Sequence, residues 1–169
     1  GEYVNWRQGG QSWSNIRIGN TSSTIGNIGC LVTSIAILIE KSGVNTTIVP
    51  FNPGTFVEAL NKNGGFDGKG NLYYAPISKV VPNFQYVGNV NLRGKSRAEK
   101  LLLINQYSSQ GYYLTIEVKG ATQGSQHWVA MMSVNGNNVN IVDPASDKTD
   151  LWSAYEWGKT TQFNYFKAN

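Results

Sequence analysis

His127-Trp128-Val129-Ala130-Met131-Met132-Ser133-Val134, then Asn135-Gly136-Asn137-Asn138, then Val139-Asn140-Ile141-Val142-Asp143: this run reads as a strand, a tight turn and a returning strand. The two strands run antiparallel, so their far ends meet. Those ends carry His127, the only histidine of the chain, and Asp143. A strand is expected upstream over 112–118 and another downstream over 163–166.

The first half reads differently. Gly29-Cys30-Leu31-Val32-Thr33-Ser34-Ile35-Ala36-Ile37-Leu38-Ile39 is apolar and is expected to be a buried helix from Cys30 to about Lys41, stopped by Ser42-Gly43. Asn52-Pro53 marks the start of a second helix, with Phe56, Val57 and Leu60 on its apolar face and Gly64-Gly65 as its stop. Residues 66–74 form a Gly-rich, aromatic loop. A third helix is expected over 96–107, where Ser96 and Glu99 have capping-box spacing. Residues 3–29 read as irregular. Helices followed by antiparallel strands give an α+β class, with N-terminal helices packed on a C-terminal sheet and one domain over 1–169.

The chain has 169 residues, enough for one domain with its own core. Only 14% of residues are charged against 40% hydrophobic, and the net charge is +4. That is a polar, weakly charged surface, of the kind suited to a secreted or wall-associated setting. The densest basic patch, Arg93-Gly94-Lys95-Ser96-Arg97 with Lys100, is read as a solvated loop and first helical turn, and nucleic-acid binding is not expected. No apolar run is long enough for a membrane span. The chain opens at Gly1 without an initiator methionine or secretion signal, which reads as a segment of a larger protein. One cysteine and one histidine cannot supply a zinc site of normal ligand count, and the loops around Asp67 and Asp147 lack an EF-hand pattern, so no metal or other cofactor is expected.

Cys30 is the only cysteine. Alone it would read as a small hydrophobe heading a core helix. With His127 and Asp143 it forms the residue set of a cysteine nucleophile, in which the imidazole acts as base and the carboxylate orients it. A helix N-terminus and a nearby imidazolium both favour the thiolate. The polar turn Gln123-Gly124-Ser125-Gln126 before His127 is expected to leave its ring at a sheet end. A donor for the developing oxyanion is also required: the Cys30 N–H is one candidate, and a side-chain amide, Gln8 or Gln11, is the other. Trp13, Tyr73 and Tyr74 lie in loops and are cleft candidates. Trp128 points away from His127 along the strand and is read mainly as core. Trp152, Tyr155 and Trp157 are expected to cover the sheet.

Several of these segments resemble a known family. Gln8-Gly9-Gly10-Gln11-Ser12-Trp13, Ile18-Gly19 and Ile28-Gly29-Cys30-Leu31-Val32-Thr33-Ser34 resemble the start of papain-like cysteine peptidases related to the bacteriocin leader-processing peptidases. His127-Trp128-Val129-Ala130 and Val142-Asp143-Pro144-Ala145 resemble that family's histidine and aspartate motifs, and Asn52-Pro53 and Asn63-Gly64-Gly65-Phe66 fit between them. The resemblance implies a papain-like fold, with Cys30 as nucleophile, His127 as base, Asp143 as orienting residue and Gln8 as oxyanion donor. Substrate contacts would come from Trp13, Leu31, Tyr74 and Trp128. The chain departs from the family in having Gly10 where Asp is common and Leu31 where Gly or Ala is common. The stand-alone branch of the family occurs in bacterial and phage cell-wall-lytic proteins. This implies an extracellular, wall-associated peptidase or amidase that acts on a peptide or on peptidoglycan. Nothing in the sequence marks an obligate interface, so a monomer is expected. A leader or maturation protease for a secreted peptide, and a non-catalytic binding module on the same fold, are the alternatives.

Overall fold

The computed structural model describes residues 1–119 and 126–169. Of the turn expected over 123–126, residues 123–125 lie outside them, and Gln126 is the first residue of a strand. Helix α1 (Ile25–Ile28) is a single turn capped by Thr24, whose side chain accepts the Asn27 N–H. Gly29 joins it to α2 (Cys30–Ser42), which ends at Gly43 in the left-handed conformation. Helix α3 (Pro53–Lys62) has the expected Asn52 cap and first-turn proline. A short α4 (Ile77–Val80) precedes strand β1 (Phe84–Asn91). Helix α5 (Arg97–Ser109) carries the Ser96–Glu99 capping box. Strands β2 (Tyr113–Lys119), β3 (Gln126–Asn135) and β4 (Asn138–Val142) follow, then a short α6 (Leu151–Ala154) and β5 (Thr160–Ala168).

The strands make one antiparallel sheet in the order β1-β5-β2-β3-β4. Strand β5, expected only as a short C-terminal piece, runs through the sheet between β1 and β2. Strand β1 was not expected. It lies at the sheet edge and only Phe84 in it is fully buried, so its sequence lacks the apolar alternation that marks a strand.

Apolar layers cover both faces of the sheet. On one face Ala130, Val142, Phe84 and Phe166 pack with Ile35 and Leu38 of α2 and Phe56 and Leu60 of α3. On the other, Leu114, Ile116, Val118, Val129, Met131 and Phe163 pack with Ile104 of α5 and Leu151 of α6. The expected arrangement of N-terminal helices on a C-terminal sheet is therefore corrected in one respect. Helix α5 closes the opposite face, because β2 is apolar on one side and still buried on the other, from Leu114 through Val118.

The basic patch is corrected at Lys100 alone, since Arg93 and Arg97 are exposed on the loop and first helical turn. Lys100 is buried and donates from Nζ to the carbonyls of Trp157 (3.0 Å) and Thr160 (2.8 Å). Arg97 sits over the Trp152 ring, and Arg93 lies 3.7 Å from the buried Glu117 carboxylate. These cations tether the segment entering β5 and its neighbours. A spacing argument cannot foresee this, because the partners are backbone carbonyls some sixty positions away.

The β3–β4 hairpin contains one extra residue. Asn135 faces Asn138 and Val134 faces Val139, but Ser133 faces Asn140 and Met131 faces Ile141, so Met132 is unpaired in a β-bulge. With unbroken pairing, residue 131 would face residue 142, and His127 would share a face with Val142. The bulge shifts the register by one. His127 and Asp143 then lie on the same face, that of Met131 and Ile141.

Candidate active site

Cys30 opens α2 directly after Gly29, and the joint explains the glycine. A Cβ there would lie 2.5 Å from the Ile25 carbonyl oxygen, so only a bare backbone lets α1 pass into α2 so tightly. No side chain caps α2, and its first-turn N–H groups favour negative charge beside the thiol. The thiol is buried, with Sγ 4.0 Å from the carbonyl of Gln126.

His127 stands near the start of β3. Its Nε2 lies 2.7 Å from Asp143 Oδ1. Nδ1 is therefore the nitrogen left for the cavity side, which His127 and Cys30 both line. Burial works against a charged imidazole. The hydrogen bonds and negative charge of Asp143 and Cys30 outweigh it and push the pKa of His127 up to about 9, from the usual 6.5.

Asp143 is fully buried. Burial favours its neutral form, but hydrogen bonds from His127, Tyr155 and the Ala145 N–H outweigh that cost and hold it below the usual carboxylate range. Oδ1 accepts from His127 and from Ala145 N (2.8 Å); Oδ2 accepts from Ser146 Oγ (2.9 Å) and from the hydroxyl of Tyr155. Burial, reinforced by the Asp143 charge, pushes the Tyr155 hydroxyl up, so it remains a donor. Tyr155 and Ser146 did not emerge from the sequence. Tyr155 read only as an aromatic cover for the sheet, and nothing in its spacing from Asp143 marks it as a partner.

Gln8 meets this group from the N-terminal loop. Its backbone N–H donates to Pro144 O (2.9 Å), its Nε2 donates to Gly26 O (3.2 Å), and its carbonyl accepts from Ser14 Oγ (2.6 Å). Gln8 Oε1 is buried without a partner among the described residues. Gln11 donates its backbone N–H to Ser14 Oγ and does not line the cavity described next.

Cys30, His127 and Gln8 open onto a cavity of about 600 Å³. Leu31, Ile28, Phe66 and Leu72 give it an apolar wall, and Lys69 lies at the loop that closes it. That loop is held by Asp67, which accepts from the N–H groups of Lys69 and Asn71. Trp128 also lines the cavity, although it is nearly buried.

Two expected substrate contacts lie elsewhere. Trp13 packs edge-on against Trp6 and donates its indole N–H to Arg7 O at 2.8 Å, so packing and a hydrogen bond claim it. Tyr74 stacks on Tyr86 with ring centroids 4.1 Å apart and accepts from Asn164; burial pushes its pKa up to about 12. Tyr73 is exposed and is not a wall of the cavity. Among the described residues no group of three or more His, Cys, Asp or Glu side chains could hold a metal ion, and no helix is long and apolar enough to cross a membrane.

The chain matches no protein-family model and no curated protein. Among solved structures it is similar to a candidate C39-like peptidase from Bacillus anthracis, at 18% identity and a TM-score of 0.44, over 81% of this chain and 88% of that one.

Proposed function

We propose that the chain is a papain-like cysteine hydrolase, a single catalytic domain over 1–169 that cuts a peptide or amide bond. The observation that carries this reading is the imidazole of His127, bonded through Nε2 to a buried carboxylate and lining one cavity with the Cys30 thiol. A carboxylate held charged by four donors keeps the ring protonated, and a protonated ring beside a thiol favours the thiolate.

In this mechanism the Cys30 thiolate attacks the carbonyl carbon. The resulting oxyanion is met by the Cys30 N–H and the Gln8 amide. The C–N bond breaks as His127 gives its proton to the leaving nitrogen, leaving a thioester on Cys30. Water attacks the thioester while His127 takes its proton, and the thiolate departs with the acid product released. Asp143 stays charged throughout and holds the ring.

The chemistry of the cavity favours an extended peptide with an apolar side chain near the cut bond, set against Leu31, Ile28 and Phe66. A weakly charged surface suits action outside the cell, on peptidoglycan or a wall-associated protein of bacterial or phage origin, by a monomer.

The test is the rate of Cys30 alkylation by iodoacetamide against pH, in the wild-type protein and in His127→Ala. An ordinary thiol reacts as it ionises near ~8.5. A reactive plateau well below neutral pH that disappears in His127→Ala is the expected result. A rate that follows an ordinary thiol in both proteins overturns the mechanism and leaves a binding module.

A further inference from the structure

A second cavity, of about 480 Å³, lies against the first, and Gln8 and Ala145 line both. Its other walls are Arg7, Pro144, Ser146 and Asp147. The first cavity extends from Cys30 toward the 66–72 loop. The second is lined by the segment that follows Asp143, the residue that His127 bonds. In the proposed reaction His127 delivers its proton to the leaving nitrogen, so the chain attached to that nitrogen lies on the imidazole's side of the cleft.

Arg7 is held in place there. Its Nη1 donates to the carbonyls of Val4 (3.0 Å) and Trp6 (2.9 Å), which fixes the guanidinium plane. Its Nη2 lies 3.2 Å from Asp147 Oδ1. The Arg7 side chain is only 20% exposed, whereas that of Asp147 is fully exposed. A held guanidinium thus faces a carboxylate that water and other carboxylates can replace.

We infer that the second cavity receives the leaving, amine-side part of the substrate and that Arg7 binds a carboxylate on it, displacing Asp147. The ligand class is a peptide or amino acid bearing an acidic side chain or free carboxylate close to the cut bond. This inference rests on the cysteine-hydrolase reading.

Two reagents test it, bromoacetyl-glutamate and bromoacetyl-glutaminamide, whose two carboxyl groups are both amides. With each, Cys30 sulfur bonds to the CH2 carbon and bromide leaves, so only the appended group differs. The wild-type protein is expected to react roughly ten-fold faster with the glutamate reagent, the size of a hydrogen bond to a charged group. Arg7→Gln is expected to abolish that preference and Asp147→Asn to increase it. Lys69→Gln, in the first cavity, leaves it in place. A preference absent in the wild type, retained in Arg7→Gln, or lost in Lys69→Gln overturns the inference with the hydrolase reading intact. Should Arg7→Gln fail to fold, Asp147→Asn decides, an unchanged ratio there overturning the assignment. Reaction with both reagents only at the rate of an ordinary thiol fails the hydrolase reading itself, and the inference with it.

Discussion

The hydroxyl of Tyr155 donates to Asp143 Oδ2 while His127 occupies Oδ1, so the buried carboxylate is gripped from both ends. The imidazole is held at the aspartate by one bond and the aspartate is held at the fold by three, from Tyr155, Ser146 and Ala145. The orientation of the imidazole is thereby passed back to the loop and short helix that follow β4.

Tyr155→Phe removes one of these donors without changing the ring. A buried acceptor that loses a partner costs about 1–3 kcal/mol, which urea unfolding would detect. The Tyr155 hydrogen bond lowers the pKa of Asp143, so its loss raises that pKa. The acid limb of Cys30 alkylation should move to higher pH in Tyr155→Phe, an effect that loose packing alone does not produce. An unmoved acid limb would reduce Tyr155 to a structural role.

The pH dependence of stability follows from His127 and Cys30 together. The folded pKa of His127, about 9, lies above the usual 6.5, so the imidazole by itself stabilises the folded state below about pH 6.5 and loses that contribution as pH rises through 9. A Cys30 thiolate gives up a proton on folding over much of the same range, which offsets the imidazole in the wild type. Cys30→Ser removes the offset while Asp143 still supports the imidazolium, so thermal melts of Cys30→Ser should fall as pH rises above about 6.5. Asp143→Asn added to Cys30→Ser removes the supporting charge and should flatten the slope. An equal slope in the variant would mean that another group titrates there.

Lys100→Met keeps the stem of the side chain and deletes the ammonium. The carbonyls of Trp157 and Thr160 then lose a charged donor, at a cost of about 2 kcal/mol. Iodoacetamide reactivity of Cys30 should stay at the wild-type level, since Lys100 lies outside the cavity. A variant of unchanged stability would return Lys100 to the solvated surface that the sequence pattern indicated.

The three helices of eight or more residues were legible because their signals are local. Asn52, Pro53, Ser96 and Glu99 act within one turn of where they stand, and the apolar run after Cys30 has nowhere to go but the core. The hairpin was legible from its turn residues, and with it the meeting of His127 and Asp143. The bulge at Met132 was not, since nothing in Met131-Met132-Ser133 marks an unpaired residue. Strand β1 escaped because its edge position removes the need for apolar alternation. The roles of Tyr155, Arg7 and Lys100 are set by partners distant in the chain, and residue type alone does not name them. Trp13 and Tyr74 misled for the opposite reason: aromatic residues in loops serve packing as readily as binding.

The unpaired Met132 gives the segment between His127 and Asp143 an odd–even arithmetic. Deleting that residue, or inserting one beside it, turns the two side chains to opposite sides of the sheet, while two residues added symmetrically to the turn leave them facing each other. Among related sequences, the lengths that this hairpin can take should therefore come in steps of two, and a step of one should appear only where the dyad has been abandoned.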